Sequence, residues 1–315
     1  MPAEGRVVAN LRRYAWLSGS LLAPRERLFP GLGARLSGQP RALQALLAAP
    51  RRLPSARLRG AAQRQFSQPL LRRVATRLEV PVSDFRMRVN TADAMGRVLA
   101  VEGIWEPHVT AVFRERLSSG DVCVDVGANV GYHTLLAAKL VGPDGHVYAL
   151  EPSPETHAEL VANIGLNGFG NVTALCVAAG GAVGEAVLDN RAQSVIAAIR
   201  PTTDAHGVRV PVQPLAELVP EEHVRRLRLV KIDVEGYELE VLRGVEPLLE
   251  RGARPAILVE LHAGHGQDAA TLVLELSRKY GLEAREVVND AGRLRLAPWL
   301  DHTIHSSGPH VLLGS

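Results

Sequence analysis

Residues Asp121–Pro152 read DVCVDVGANVGYHTLLAAKLVGPDGHVYALEP. Val122–Val126 is a short apolar run between the Ser118-Ser119-Gly120 cluster and a glycine turn, the pattern of a buried parallel strand. The turn is Gly127-Ala128-Asn129-Val130-Gly131, and the Leu- and Ala-rich Tyr132–Leu140 predicts a helix. A strand, a glycine turn and a helix set free backbone N–H groups and a positive helix end at the carboxyl edge of a sheet. Open α/β sheets bind nucleotides there. His146–Leu150 predicts the next strand. Glu151 closes it, about 20 residues past the turn, where an acid can accept both hydroxyls of a ribose.

The turn has the pattern G-x-N-x-G and not the G-x-G-x-x-G of dinucleotide sites. It lacks the third glycine that lets a helix lie close over a pyrophosphate. A ribose-bearing ligand without pyrophosphate fits better, and S-adenosylmethionine (SAM) is one. Asp125, Gly127, Asn129, Gly131 and Glu151 are the candidate cofactor-binding residues. Glycine turns also end strands for structural reasons alone; Asp125, the turn and Glu151 in register favour a ligand.

Downstream, Arg228–Ile232 reads as a buried strand that delivers Lys231-Ile232-Asp233-Val234-Glu235 to the same edge. Alternate side chains share a face, so Lys231, Asp233 and Glu235 point one way until the turn begins. These charges form either a structural salt-bridge network or a catalytic group, with Asp233 facing the transferred group and orienting or deprotonating an acceptor. Ala256–Leu261 is the fifth strand, and His262 at its edge is a candidate general base by its reference pKa of about 6.5. Asp233, His262 and Glu235 are thus the catalytic candidates. Glu106 reads by itself as an ordinary helix N-terminal acid. No metal is expected, because His265, His302 and His305 show no tight ligand spacing and no cysteine joins them.

Five blocks, GIWEP (Gly103–Pro107), DVGANVGYHTLLAA (Asp125–Ala138), YALEPSP (Tyr148–Pro154), LVKIDVEGYELEVLRG (Leu229–Gly244) and ILVELH (Ile257–His262), resemble the FkbM-type SAM-dependent methyltransferases. The resemblance covers roughly residues 84–262. It implies a class I methyltransferase (Rossmann-like) sheet, SAM as cofactor, and methyl transfer to an oxygen on a sugar or small natural product. It also implies a place for Glu106 at the entrance of the cofactor pocket.

The remaining pattern suits that fold. Phe85–Val89 alternates as a strand, and Ala92–Glu102 and His108–Leu117 predict helices. Pro154–Gly165 predicts a helix, Val172–Val177 a third strand, and Val187–Asp189 with Val208–Val212 a hairpin around a polar loop. Thr271–Tyr280 predicts a helix, Glu283–Val288 and Arg293–Leu296 a closing hairpin, and His310–Leu313 a last strand. The expectation is α/β: a doubly wound, mostly parallel sheet over residues 84–315, preceded by a helical arm over residues 1–83.

That arm is cut by Pro24, Pro30, Pro40, Pro50, Pro54 and Pro69 into short helical pieces, Leu70–Leu78 being the last. Residues 1–73 hold fourteen arginines and two acids, +12 in a chain of net +3, which leaves −9 for the remainder. The arm reads as a solvated lid or homo-oligomerisation element, as a contact for an anionic partner such as RNA, or as a targeting segment. An RNA methyltransferase is therefore one rival, although aromatics are only 4% and the arm carries no stacking platform. An NAD-dependent oxidoreductase and a SAM-binding module without chemistry are the others. No run approaches the 18 or so apolar residues of a membrane helix. Two cysteines, Cys123 and Cys176, make no disulfide framework, and a cytoplasmic location with access to cytosolic SAM is expected.

Overall fold

The computed structural model describes residues 77–189, 194–196, 207–262, 266–290, 293–299 and 309–314. Nearly all of the arginine arm, most of the polar loop at 190–206 and the histidines 265, 302 and 305 lie outside the described residues. The chain divides into two compact units, one ending at Trp105 and one starting at Glu106.

In the first unit, β1 (Arg77–Val82) and β2 (Phe85–Asn90) form an antiparallel hairpin followed by helix α1 (Ala94–Glu102). Leu78, Val80 and Val82 alternate with exposed neighbours and face the buried Phe85, Met87 and Val89 across the ladder. Part of the predicted Leu70–Leu78 helix is therefore strand. The two-residue period becomes decisive only once β2 supplies a partner row. Asp93 caps α1 by accepting the Gly96 N–H at 2.5 Å.

The second unit opens with α2 (Pro107–Arg116), β3 (Val122–Val126), α3 (Tyr132–Val141), β4 (His146–Leu150), α4 (Pro154–Asn167) and β5 (Val172–Leu175). An excursion follows: β6 (Ala178–Ala179), β7 (Gly184–Asp189), β8 (Ser194–Ile196) and β9 (Val208–Gln213) form a separate four-stranded sheet. The predicted hairpin is its β7–β9 pair. Two single-turn helices, α5 (Leu215–Leu218) and α6 (Glu221–Val224), lead to β10 (Leu227–Ile232) and α7 (Glu238–Glu250). Their proline N-caps, Pro214 and Pro220, mark starts that no apolar period announces. The unit closes with β11 (Ala256–Glu260), α8 (Gly266–Tyr280), β12 (Glu283–Asp290), β13 (Arg293–Pro298) and β14 (His310–Gly314).

The main sheet runs β13-β12-β14-β11-β10-β3-β4-β5. The five strands from β11 to β5 are parallel, and β14, β12 and β13 add antiparallel. Strand order runs outward one way through β3, β4 and β5 and the other way through β10 and β11. The switch point therefore lies between β3 and β10, where such sheets open a crevice at their carboxyl ends.

Every residue of β3 is buried, as a strand covered on both faces requires. On one side α7 lays Val241, Leu242, Val245, Leu248 and Leu249 into a core shared with Val230, Ile232, Ile257 and Val259. On the other, Leu160 of α4 packs on Ala128 and Ala149. Each such aliphatic side chain contributes about 1.5–3 kcal/mol relative to exposure. The fold is thus the doubly wound, mostly parallel sheet expected. Cys123 sits buried in β3, whereas Cys176 is half-buried just beyond β5.

Candidate active site

The strand register fixes the site. Asp125 stands beside Lys231 of β10 and Ala149 of β4, and Val126 beside Ile232 and Leu150. Beyond Val126 the chain turns at Gly127 with φ +75°. A Cβ there would lie 1.9 Å from the Asp233 carbonyl oxygen, so the ends of β3 and β10 touch only because the residue is glycine. The N–H groups of Gly127 and Ala128 both donate to Leu150 O, at 3.0 and 2.9 Å. Asn129 takes φ +50°, and its Oδ1 accepts the Val130 N–H at 2.8 Å. Gly131, at φ +99°, leads into α3 so close to Leu160 that a Cβ would sit 2.7 Å from its Cδ1.

Glu151 locks this turn to the end of β4. Its Oε2 accepts the Asn129 N–H at 2.9 Å and its Oε1 the Ser153 N–H at 3.0 Å. Burial raises its pKa, and the two backbone bonds and Lys231 oppose the rise. Each oxygen keeps a lone pair for a ligand hydroxyl. Gly127, Asn129, Gly131 and Glu151 thus converge on one turn.

Asp125 lies beneath it. Fully buried, it accepts the Thr134 Oγ1–H at 2.7 Å and faces Lys231 Nζ at 3.3 Å. Lys231 also meets Asp233 Oδ2 at 3.2 Å and donates to Gly127 O at 3.2 Å. Burial alone would depress the lysine, but Asp233, Asp125 and Glu106 outweigh it and hold it well above its ordinary value. Burial pushes the Asp233 carboxyl up, and Lys231 more than reverses this, so Asp233 remains an anion. The salt-bridge network is present and joins Lys231 to both Asp125 and Asp233. Asp125 is sealed inside, while the Asp233 side chain keeps 26% of its surface open.

The other catalytic candidates meet a group from distant parts of the chain. His262 Nδ1 contacts Glu238 Oε1 at 2.7 Å, and its Nε2 faces Glu235 Oε2 at 3.3 Å and Glu260 Oε1 at 3.7 Å. The Glu238 bond lifts His262 to about 9, against the pull of burial and with help from the surrounding carboxylates. That direction favours the imidazolium over the neutral ring. Glu235 is exposed at φ +53° and touches the site through His262. Glu260 also approaches His310 Nε2 at 3.5 Å, and Glu106 Oε1 lies 3.9 Å from the same nitrogen. Burial, with Asp233 adding repulsion, lifts Glu106 to about 7 and Glu260 to about 8. Burial, helped by His108, lowers His310 to about 4.

Glu238, Glu260 and His310 were not among the expected site residues. Glu260 precedes His262 by two positions and offered a weak signal; His310 offered none without knowing that β14 pairs with β11.

This strand–turn–helix geometry coincides with a match to a family model, the methyltransferase FkbM domain, over residues 125–293, more than half of the chain. The chain belongs to the FkbM methyltransferase family. Among its relatives, the hexuronic acid methyltransferase AglP of Haloferax volcanii is 28% identical over 179 residues, covering 57% of this chain and 71% of AglP. Methyltransferase 1 of Beauveria bassiana is 30% identical over 146 residues, 39% of this chain and 57% of that protein. A solved SAM-dependent O-methyltransferase from Thermotoga maritima aligns with TM-score 0.37 and 13% identity over 75% of this chain and 76% of its own. Membership rests on the sequence match and displaces the oxidoreductase alternative.

SAM is the cofactor this methyltransferase family implies, and the residues fit it. Glu151, which closes the glycine turn through the Asn129 N–H, keeps a lone pair on each carboxylate oxygen that a ribose hydroxyl could meet. Among the described residues no helix is long and apolar enough to cross a membrane.

Proposed function

We propose that this SAM-dependent methyltransferase acts on a hydroxyl oxygen of a sugar, glycan or small natural product. The observation that carries the reading is Asp233, a partly open carboxylate held beside the Gly127 turn at the switch point. The relative acting on a hexuronic acid supports a sugar acceptor. Gly127, Asn129 and Gly131 admit the methionine part by close backbone approach, Glu151 holds the ribose, and Asp125 supports the turn through Thr134 and Lys231. Bound SAM supplies an electrophilic methyl group. That methyl would go to the acceptor oxygen, and the hydroxyl proton would pass to a carboxylate of this chain. In this reading Asp233 aligns the hydroxyl and takes its proton, which a displacement governed by alignment asks of it only modestly. His262, as an imidazolium, serves the acceptor as a hydrogen-bond donor, with Glu235 and Glu238 around it.

The test is methyl transfer from labelled SAM into a host-cell extract, with and without nuclease. Label that survives nuclease in a glycan or small-molecule fraction supports O-methylation of such an acceptor. Label lost to nuclease makes RNA the substrate, with the +12 segment over residues 1–73 as its docking element. No transfer in any fraction favours a SAM-binding module.

A further inference from the structure

Glu106, Glu260 and His310 reach one point from three separate elements. Glu106 precedes α2, Glu260 ends β11, and His310 begins β14 directly opposite Glu260 in the antiparallel ladder. Their donor atoms all lie within 4.8 Å of one another. His310 Nε2 is 3.5 Å from Glu260 Oε2 and 3.9 Å from Glu106 Oε1. Those separations exceed the roughly 2.7–2.9 Å of a strong charge-assisted hydrogen bond. They match donors arranged around one ion at about 2.0–2.2 Å from each.

Two further observations point to a cation. Glu106 Oε2 is buried and has no hydrogen-bond partner among the described residues. A carboxyl oxygen shut away from water with no hydrogen-bond partner calls for a donor or a cation beside it, and Lys231 is already engaged by Asp125, Asp233 and Gly127 O. The second concerns the imidazole. His310 Nδ1 lies 3.4 Å from His108 Nε2, a contact that fixes the ring and leaves Nε2 toward the carboxylates. Metal-bound histidines are oriented in this way through their other nitrogen.

We propose that Glu106, Glu260 and His310 bind one divalent first-row metal ion, Mn²⁺ or Zn²⁺. One imidazole with two carboxylates suits these ions better than Mg²⁺ or Ca²⁺, which prefer oxygen alone. The three donors come from opposite ends of the unit, so linear ligand spacing does not reveal them. Binding is independent of which acceptor is methylated.

The test uses the full chain stripped with a chelator and titrated with MnCl₂ and then ZnCl₂ by calorimetry, with electron paramagnetic resonance of the Mn²⁺ form. One ion per chain is expected, with nitrogen modulation from a single imidazole. Glu106→Gln, Glu260→Gln and His310→Gln should each weaken binding about tenfold or more. Glu185→Gln, on an exposed strand, should leave it unchanged. The absence of saturable binding, an Mn²⁺ spectrum without nitrogen modulation, or wild-type affinity in the three variants would overturn the site. The wild-type spectrum decides even where a variant fails to fold.

Discussion

The carboxyl edge of the sheet has two unlike halves. The Gly127–Glu151 side comes from one continuous stretch, and its turn is closed by short backbone bonds to Leu150 and Glu151. The side around Asp233, His262, Glu260, His310 and Glu106 comes from four separate stretches. It holds charges at 2.7–3.9 Å, with buried oxygens of Glu106 and Glu238 that have no partner among the described residues. In the first half the backbone N–H groups of the turn from Gly127 to Gly131 are all bonded within the chain. The second half rests on ion pairs between side chains from separate elements.

If the halves are separable, changes in them should give different symptoms. The largest effect is expected from Gly127→Val. Its Cβ would occupy the Asp233 carbonyl, so SAM binding by calorimetry should vanish and the melting temperature fall; retained binding would deny the turn its role. Asp233→Asn should lower methyl transfer by about 100-fold while leaving SAM affinity nearly constant. If affinity fell with rate, the halves would be one. Glu151→Gln should do the converse, weakening SAM by about tenfold, the scale of one lost charge-assisted hydrogen bond, with saturated turnover maintained.

The smallest expected effect concerns the links among the acceptor-side charges. His262 is raised to about 9 in the folded chain, above the unfolded value of about 6.5. Its contribution to stability is full below about pH 6.5 and is lost as pH rises through 9. Glu238→Gln should bring the His262 midpoint in an NMR titration back toward 6.5 and flatten that part of the stability–pH profile. An unmoved midpoint would place the cause in Glu260 and Glu235.

The contrast also explains what was legible in the sequence. Val122–Val126, the turn and Glu151 are adjacent in the chain, so period, glycines and spacing describe them completely, and the five parallel strands follow from the same apolar runs. Asp233 and His262 were visible as strand-end residues. The state of His262 was not, because it depends on Glu238 one helix away and Glu260 beneath. Nor was the Glu260–His310 pairing, which needs the position of β14 in the sheet. Asp125 was read as a cofactor-binding candidate from its place beside the turn; its full burial and its contacts with Thr134 and Lys231 were not visible there. The last two residues of the helix expected to end at Leu78 are strand for a related reason, since β1 gains its identity from β2.

The position of β14 also bears on the order of folding. It pairs with β11 on one side and β12 on the other, yet follows both in the chain. While β14 is still to arrive, β11 and β12 each offer an open edge, and direct pairing between them is a trap that must be undone. Such late, non-local insertion slows assembly relative to the neighbouring β3–α3–β4 unit. A refolding chain should therefore recover SAM binding before the His310 side of the pocket is complete, and a chaperone holding the β11 edge would act on the slow step.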